Sequence, residues 1–219
     1  MQQEFWHERW QQNQIGFHNE AINPYLQQYW PALQLNPGSR VFVPLSGKSK
    51  DMLWLMAQGF NIIAVELSPL AVKAFFTENA LSPSTKPQGK FNLSETDGLQ
   101  FFCGDFFDLS INDLAGVVAV YDRASLVALP AEMRNTYVSH LQKLLPVGTT
   151  LLLVAFDYPQ HEMSGPPFSV QQLEVQLLFG DWCKVELLQS QDILDQEPKF
   201  REKGVSRMQE HVYLITVQD

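Results

Sequence analysis

The sequence predicts an α/β fold built on a mostly parallel sheet, and three observations predict it. Apolar and amphipathic segments alternate five times between Val41 and Gly180. That is the signature of strands feeding helices that pack back on both faces of one sheet. The segment 61–65, NIIAV, is almost continuously apolar, as a strand buried on both faces must be. Two apolar segments then close the chain with no clear helix between them, so one of the two should run antiparallel. At 219 residues the chain is long enough for one large domain with its own core, and residues 1–219 are read as one.

Each element follows in order. Residues 1–36 read as an N-terminal segment of short helices outside the main core; Trp6 and Trp10, four apart, share a helix face, and Pro24 and Pro31 break the segment. LNPGSR is a turn, and Val41–Leu45 is the first strand. A helix follows with Ser49 as a fitting N-cap and Gly59 as its stop. Asn61–Val65 is the second strand. SPLAVKAFFTENAL is a helix with Pro69 in its first turn. Residues 82–98 are rich in Pro, Gly and Ser and read as an excursion or mobile loop. The third strand ends near Gly104 and Asp105. The fourth, Val117–Tyr121, leads to a loop at Asp122 and Arg123. AEMRNTYVSHLQKLL is a helix, GTTLLLVAFDYP holds the fifth strand, and SVQQLEVQLLFG is a helix ending at Gly180. CKVELLQSQDIL and EHVYLITVQ are the last two strands. Seven strands with an antiparallel last strand are the pattern of a seven-stranded methyltransferase sheet rather than of a plain dinucleotide fold.

Composition narrows the partners. Lys and Arg number 15 against 24 Asp and Glu, for a net charge of -9. A nucleic-acid binder carries a basic face, so a small molecule is the expected partner. Cys103 and Cys183 are far apart and form no C-x-x-C, which signals neither zinc nor a dithiol; both read as buried packing residues. MQQEFWHERW has no basic start and no apolar core of a signal peptide. No apolar run approaches the length of a membrane span. A cytoplasmic, reduced, soluble protein is the simplest expectation.

In open α/β sheets the ligand sits beyond the carboxyl ends of the strands, at the topological switch. The first strand offers Leu45, Ser46, Gly47 and Lys48 there, the second Glu66, the third Asp105 and Phe106, the fourth Asp122 and Arg123. Glu66 stands 19 residues after Gly47, a spacing that suits an acid accepting both hydroxyls of a ribose; a solvated strand-end carboxylate is the alternative. Asp105 could accept from an adenine amino group with Phe106 covering the base, or could simply cap a turn. The loop lacks the second and third glycines that let a backbone approach a pyrophosphate, which argues against NAD and FAD. It also lacks the first glycine of a P-loop, since Phe42 stands there. An adenosine cofactor without phosphates fits, and S-adenosylmethionine is that cofactor. Trp6, Trp10 and Phe17 could cover it and attract its sulfonium through a ring face, or could only pin the N-terminal helices. His18 could contact the substrate or be structural.

RVFVPLSGKSKDMLWLMAQGFNIIAVELSPLAVKAFFTEN, DRASLVALP, GPPFSV and the opening FWHERWQQNQIGFH together resemble the thiopurine S-methyltransferases, particularly the bacterial ones. The similarity runs over nearly the whole chain in order. It implies a class I, Rossmann-like methyltransferase fold with an N-terminal helical lid, and S-adenosylmethionine as donor with S-adenosylhomocysteine as product. It also implies cofactor contacts at positions matching Trp10, Leu45, Glu66 and Arg123, and an adenine site at Asp105 and Phe106; Gly47, in the loop after the first strand, is expected to contact the cofactor as well. Ser46 stands where many relatives have Cys. Lys199 and Arg201 match the family's substrate loop only loosely.

The residues of the fourth strand suit a sulfur acceptor. A guanidinium cannot accept a proton, but Arg123 can stabilise a thiolate or an ionised mercaptopurine ring; an ion pair with Asp122 or Glu66 is the alternative. The expected activity is methylation of thiopurines and of aromatic or heterocyclic thiols, with no metal. Methylation of selenium or tellurium compounds, or a non-catalytic adenosine-cofactor sensor, are the other readings. A small-molecule thiol, selenol or tellurium substrate, a monomeric state, and neither nucleic acid nor membrane as partner complete the expectation.

Overall fold

The computed structural model describes residues 3–219; the first two residues of the 1–36 segment lie outside the described residues. The chain folds as two compact units, Met1–Tyr121 and Asp122–Asp219.

In the first unit, helices α1 (Gln3–Gln11) and α2 (Pro24–Tyr29) precede strand β1 (Arg40–Val43), helix α3 (Asp51–Ala57), strand β2 (Asn61–Glu66) and helix α4 (Pro69–Glu78). Strands β3 (Ser84–Gln88), β4 (Phe91–Thr96), β5 (Leu99–Cys103) and β6 (Val117–Arg123) follow, the last running into the second unit. The strand order is β3-β4-β5-β2-β1-β6. β2 is parallel to both β1 and β5, and β6 is parallel to β1. The chain therefore steps one way from β1 to β2 and the other way to β6, which places the topological switch at the carboxyl end of β1.

The continuous apolarity of β2 has its cause in this position. Ile62, Ile63, Ala64 and Val65 are all buried between two parallel neighbours. α4 begins as its sequence requires: the Ser68 hydroxyl accepts the Ala71 N–H, and Pro69 occupies the first turn. α3 starts at Asp51, whose N–H donates to the Ser49 hydroxyl at 3.2 Å.

The second unit holds helix α5 (Ala131–Leu144), strand β7 (Thr150–Asp157), helix α6 (Gln172–Phe179), strand β8 (Cys183–Asp192), helix α7 (Pro198–Glu202) and strand β9 (Gln209–Val217). β9 is antiparallel to both β7 and β8, as the close of the sequence predicts. The connection between β8 and β9 is not helix-free, because α7 stands in it.

The described residues form nine strands, not seven. The two extra strands come from the stretch expected to be a loop. Residues 84–96 make an antiparallel hairpin, Ser84 opposite Glu95 through Gln88 opposite Phe91, and β4 continues the ladder onto β5. β3 is an exposed edge strand carrying Lys86 and Pro87, residues an edge tolerates and a central strand does not.

The hairpin is packed onto the carboxyl end of β5. Phe91 is buried against Phe102 with ring centroids 5.4 Å apart. A Cβ built on Gly104 would stand 2.5 Å from the Phe91 ring, closer than carbon atoms approach. Gly104→Ala is therefore expected to destabilise the protein by about 1–3 kcal/mol, the usual cost of overpacking a close contact. Gly104→Ala combined with Phe91→Leu should recover part of that loss. Urea midpoints of the two variants check this, and equal midpoints for Gly104→Ala and the parent would show that the hairpin yields freely.

Candidate functional site

The switch point is built around the side chain of Glu66, the last residue of β2. It is 6 % exposed, so it is not the solvated strand-end acid of the alternative reading. One carboxylate oxygen accepts the Gly47 N–H at 2.9 Å, and the other accepts the Ser68 N–H at 2.7 Å. Its backbone carbonyl accepts the Gly104 N–H at 3.0 Å. The loop after β1, the turn into α4 and the tail of β5 are thus all tied to one residue. Burial pushes the Glu66 carboxyl pKa up, while the N–H groups of Ser68, Gly47 and Leu67 pull it back.

The loop after β1 takes its shape from the same contacts. The Ser46 N–H donates to the Val65 carbonyl at 3.0 Å. Leu45 has φ +42 and Gly47 has φ +55. A left-handed Leu costs about 1–2 kcal/mol, and here the Ser46 and Gly47 bonds to β2 hold it in place. Lys48 donates to both carboxylate oxygens of Glu78, at 2.7 and 2.8 Å.

Asp105 lies past the end of β5, the neighbour of β2. One of its oxygens accepts the Phe107 N–H at 2.9 Å, so it does cap a turn; the other accepts from the Gln3 side chain at 2.6 Å. The ring expected over a base is not available for that task. Phe106 is 2 % exposed and stacks on Phe42 at 6.4 Å inside the core. The less buried Phe107 stands edge-on to it at 5.2 Å.

The N-terminal segment meets this site. A Cβ on Gly47 would lie 3.4 Å from the Trp10 ring, which places the indole directly on the loop. Phe17 packs edge-on against both Trp6 and Trp10, each at 5.7 Å. The His18 Nε2 lies 3.2 Å from Glu20, and Glu20 pairs with Lys50. Burial, and then Lys48, lowers the His18 pKa against the pull of Glu20, which favours a neutral ring.

Sequence reading missed Asp51. It is buried at the first turn of α3. Its oxygens accept the Asn23 N–H at 2.8 Å and the Tyr121 hydroxyl at 3.0 Å. In the sequence it reads only as an acid at a helix start, because the hydroxyl that buries it stands 70 residues away.

In the second unit, Asp122 is buried, and its oxygens accept the Leu126 N–H at 3.1 Å and the Tyr137 hydroxyl at 2.7 Å. Burial raises its pKa. Arg123, the last residue of β6, is partly exposed. Lys199 lies 2.9 Å from Glu197, and Arg201 pairs with Asp195.

The cysteines are unpaired. Cys183 is buried and its thiol pKa is pushed up to about 12 by burial. Cys103 is half-buried rather than fully buried, and pairs in register with Glu66. Burial, with the Glu66 charge, pushes its thiol up to about 11.

Glu66 and Asp105 make this end of the sheet a site of acceptors. A carboxylate offers about four acceptor positions, so the two N–H bonds to Glu66 leave it capacity for a further donor, while both oxygens of Asp105 already accept, from Phe107 and from Gln3. Hydroxyl and amino groups suit them, and a phosphate does not. These residues fit an adenosine. Among the described residues no group of three or more His, Cys, Asp or Glu is placed to hold a metal, and no helix is long and apolar enough to cross a membrane.

Known proteins resemble this chain over nearly its whole length. The family model described as Thiopurine S-methyltransferase matches residues 1–218. A thiopurine S-methyltransferase from Nitrosospira multiformis is 54% identical over 215 residues, covering 98% of each chain. One from Pseudomonas fluorescens is 50% identical over 215 residues, covering 98% of this chain and 99% of its own. Among solved structures, a SAM-dependent methyltransferase from Anabaena variabilis superposes with a TM-score of 0.65 at 12% identity, covering 99% of this chain and 95% of its own. A Burkholderia thailandensis 1,6-didemethyltoxoflavin-N1-methyltransferase, solved with bound 1,6-didemethyltoxoflavin and S-adenosylhomocysteine, gives a TM-score of 0.65 at 13% identity, covering 99% of this chain and 87% of its own. The fold is therefore that of the class I S-adenosylmethionine-dependent methyltransferases.

The raised Glu66 pKa has a signed consequence. A carboxyl whose folded pKa lies above its ordinary value of 4.5 stabilises the fold fully below about 4.5, and that contribution is lost as pH rises through the folded value. Glu66→Gln cannot ionise, so its stability should change less than the parent's as pH rises above 4.5. Urea midpoints between pH 4 and pH 7 read this. Parallel profiles for the two proteins would mean that the carboxyl titrates as it does unfolded.

Proposed function

Since the chain belongs to the thiopurine S-methyltransferase family, we propose that it methylates the sulfur of thiopurines and of aromatic or heterocyclic thiols, using S-adenosylmethionine. The observation that carries the donor half of this reading is the buried Glu66 carboxylate, fixed by Gly47 and Ser68 beside a loop with no phosphate-binding glycines. When bound, S-adenosylmethionine supplies an electrophilic methyl group on a positive sulfur.

The chain's own residues then divide the work. Glu66 accepts the ribose hydroxyls. Asp105 accepts the adenine amino group, with Phe106 contributing at the adenine site through its backbone, since its ring is core. Leu45 and Gly47 present loop backbone to the donor. Trp10 and Phe17 close over it, and a ring face attracts a cation within about 6 Å of its centroid. Residues 1–36 act as the lid, with Phe17 and His18 on its acceptor side; the acceptor's negative charge is left to Arg123.

Arg123 is assigned the catalytic role from its place at the end of β6 and from family resemblance. A guanidinium stays charged, and a positive charge near a thiol favours the thiolate. Methyl transfer to sulfur needs the acceptor ionised and the two sulfurs in line, which positioning supplies. The acidic charge of the chain and the aromatic N-terminal segment favour a small acceptor over protein or nucleic acid. A cytoplasmic monomer accompanies this reading.

Glu66→Ala should weaken S-adenosylmethionine and S-adenosylhomocysteine together, by about 1.5–3 kcal/mol, the value of hydrogen bonds to a charged acceptor. Calorimetry giving parent affinities for both would remove Glu66 from the site. Arg123→Met, assayed with donor saturating, should lower turnover of a mercaptopurine by about 10–1000-fold, as when one electrostatic stabiliser is lost. The loss should shrink at higher pH, where solvent alone ionises the acceptor. Parent turnover with an unchanged pH profile would end the role given to Arg123.

A further inference from the structure

We infer that Gln3 is a latch for the donor site: its side-chain amide occupies the Asp105 oxygen that the adenine amino group needs, so donor binding must displace it. The inference rests on the reading of Asp105 as the adenine acceptor and adds a competitor within the chain.

The chemistry of the two donors is the same. An exocyclic amino group presents N–H to an acceptor, and so does a carboxamide. The Gln3 Nε2 donates to Asp105 Oδ2 at 2.6 Å, while Oδ1 is already committed to the Phe107 N–H. Oδ2 of Asp105 therefore already accepts from a side chain that imitates the ligand.

The helix dimensions fit the span. Gln3 and Trp10 both lie on α1. Seven residues of helix advance about 10.5 Å. β5 and β1 flank β2, and two strand spacings are about 9.6 Å. With Gln3 on Asp105 past β5 and Trp10 on Gly47 past β1, α1 crosses the carboxyl end of β2, where Glu66 ends the strand. One helix thus straddles both ends of the proposed adenosine site.

The strap is built to let go at one end. α1 has no buried residue, and an element with little burial opens at low free energy. The Gln3 bond is exposed. The other end is held more firmly: Trp10 packs on Gly47 and Phe17, Glu20 pairs with Lys50, and the Asn23 N–H is fixed to buried Asp51. Release at Gln3 swings the start of α1 away from Asp105 while the aromatic end stays over the loop.

Calorimetry with S-adenosylhomocysteine, which carries no net charge, tests the latch on the full chain. Gln3→Ala removes the competitor at an exposed position and should tighten binding about threefold to tenfold, the scale of one ordinary hydrogen bond. Gln3→Lys substitutes a charged partner for Asp105 and should weaken binding severalfold. Trypsin should cut after Arg9 faster in ligand-free Gln3→Ala than in the parent. Asp105→Ala serves as the control for the underlying reading and should weaken binding. If Asp105→Ala weakens binding while Gln3→Ala and Gln3→Lys both match the parent, the latch is overturned and the adenine acceptor stands. If Asp105→Ala binds as tightly as the parent, Asp105 is not the acceptor and both ideas fall.

Discussion

One buried carboxylate holds the carboxyl edge of the first unit together. Glu66 joins three segments that are distant in sequence: the loop at Gly47, the turn at Ser68 and, through its carbonyl, the tail of β5 at Gly104. A buried anion is costly unless its lone pairs are met. Backbone N–H groups meet them here, and they cannot be exchanged by rotating a side chain. Leu45 is kept at a positive φ by the same bonds that hold the loop to β2. Take away the acceptor and the loop loses its reason for that shape.

Asp51 extends this logic to the N-terminal segment. It binds the Asn23 N–H and the Tyr121 hydroxyl, and Asn23 in turn caps α2 by accepting from Tyr25 and Leu26. Trp30 is buried edge-on against Phe60 and Tyr121, at 5.9 and 6.1 Å. The base of the segment is therefore core, while α1 at its tip has no fully buried residue. An appendage rooted in this way can move at one end without loosening the sheet, which a surface helix tethered only by its own contacts could not do.

The strands with strong apolar runs were legible because burial on both faces leaves no room for polar residues; β2 and β7 are the plainest cases. β3 was not legible. STKPQ has no apolar alternation, since its strand state comes from pairing with β4 and not from a buried face. α7 is five residues long, too short to show a period. At the site, Glu66 and Asp105 could be read from their places at strand ends, and Gly47 from its turn. The burial of the Phe106 ring could not, because an aromatic after a strand looks the same whether it faces a ligand or Phe42. Asp51 and Gln3 were illegible for a common reason: each acts through a partner far along the chain, at Tyr121 and at Asp105.

The state of the two cysteines bears on a hazard peculiar to the proposed chemistry. A protein that holds an electrophilic methyl group and selects for thiolate acceptors carries thiols of its own, and Cys103 pairs in register with Glu66 at the site. With its thiol pushed up to about 11, only about one molecule in 10,000 carries that sulfur as thiolate at neutral pH, and the thiolate is the nucleophile. Burial first, and then the carboxylate proposed to hold the donor, keep this neighbouring sulfur protonated. Protection from self-alkylation then comes from the packing around the site rather than from a separate device.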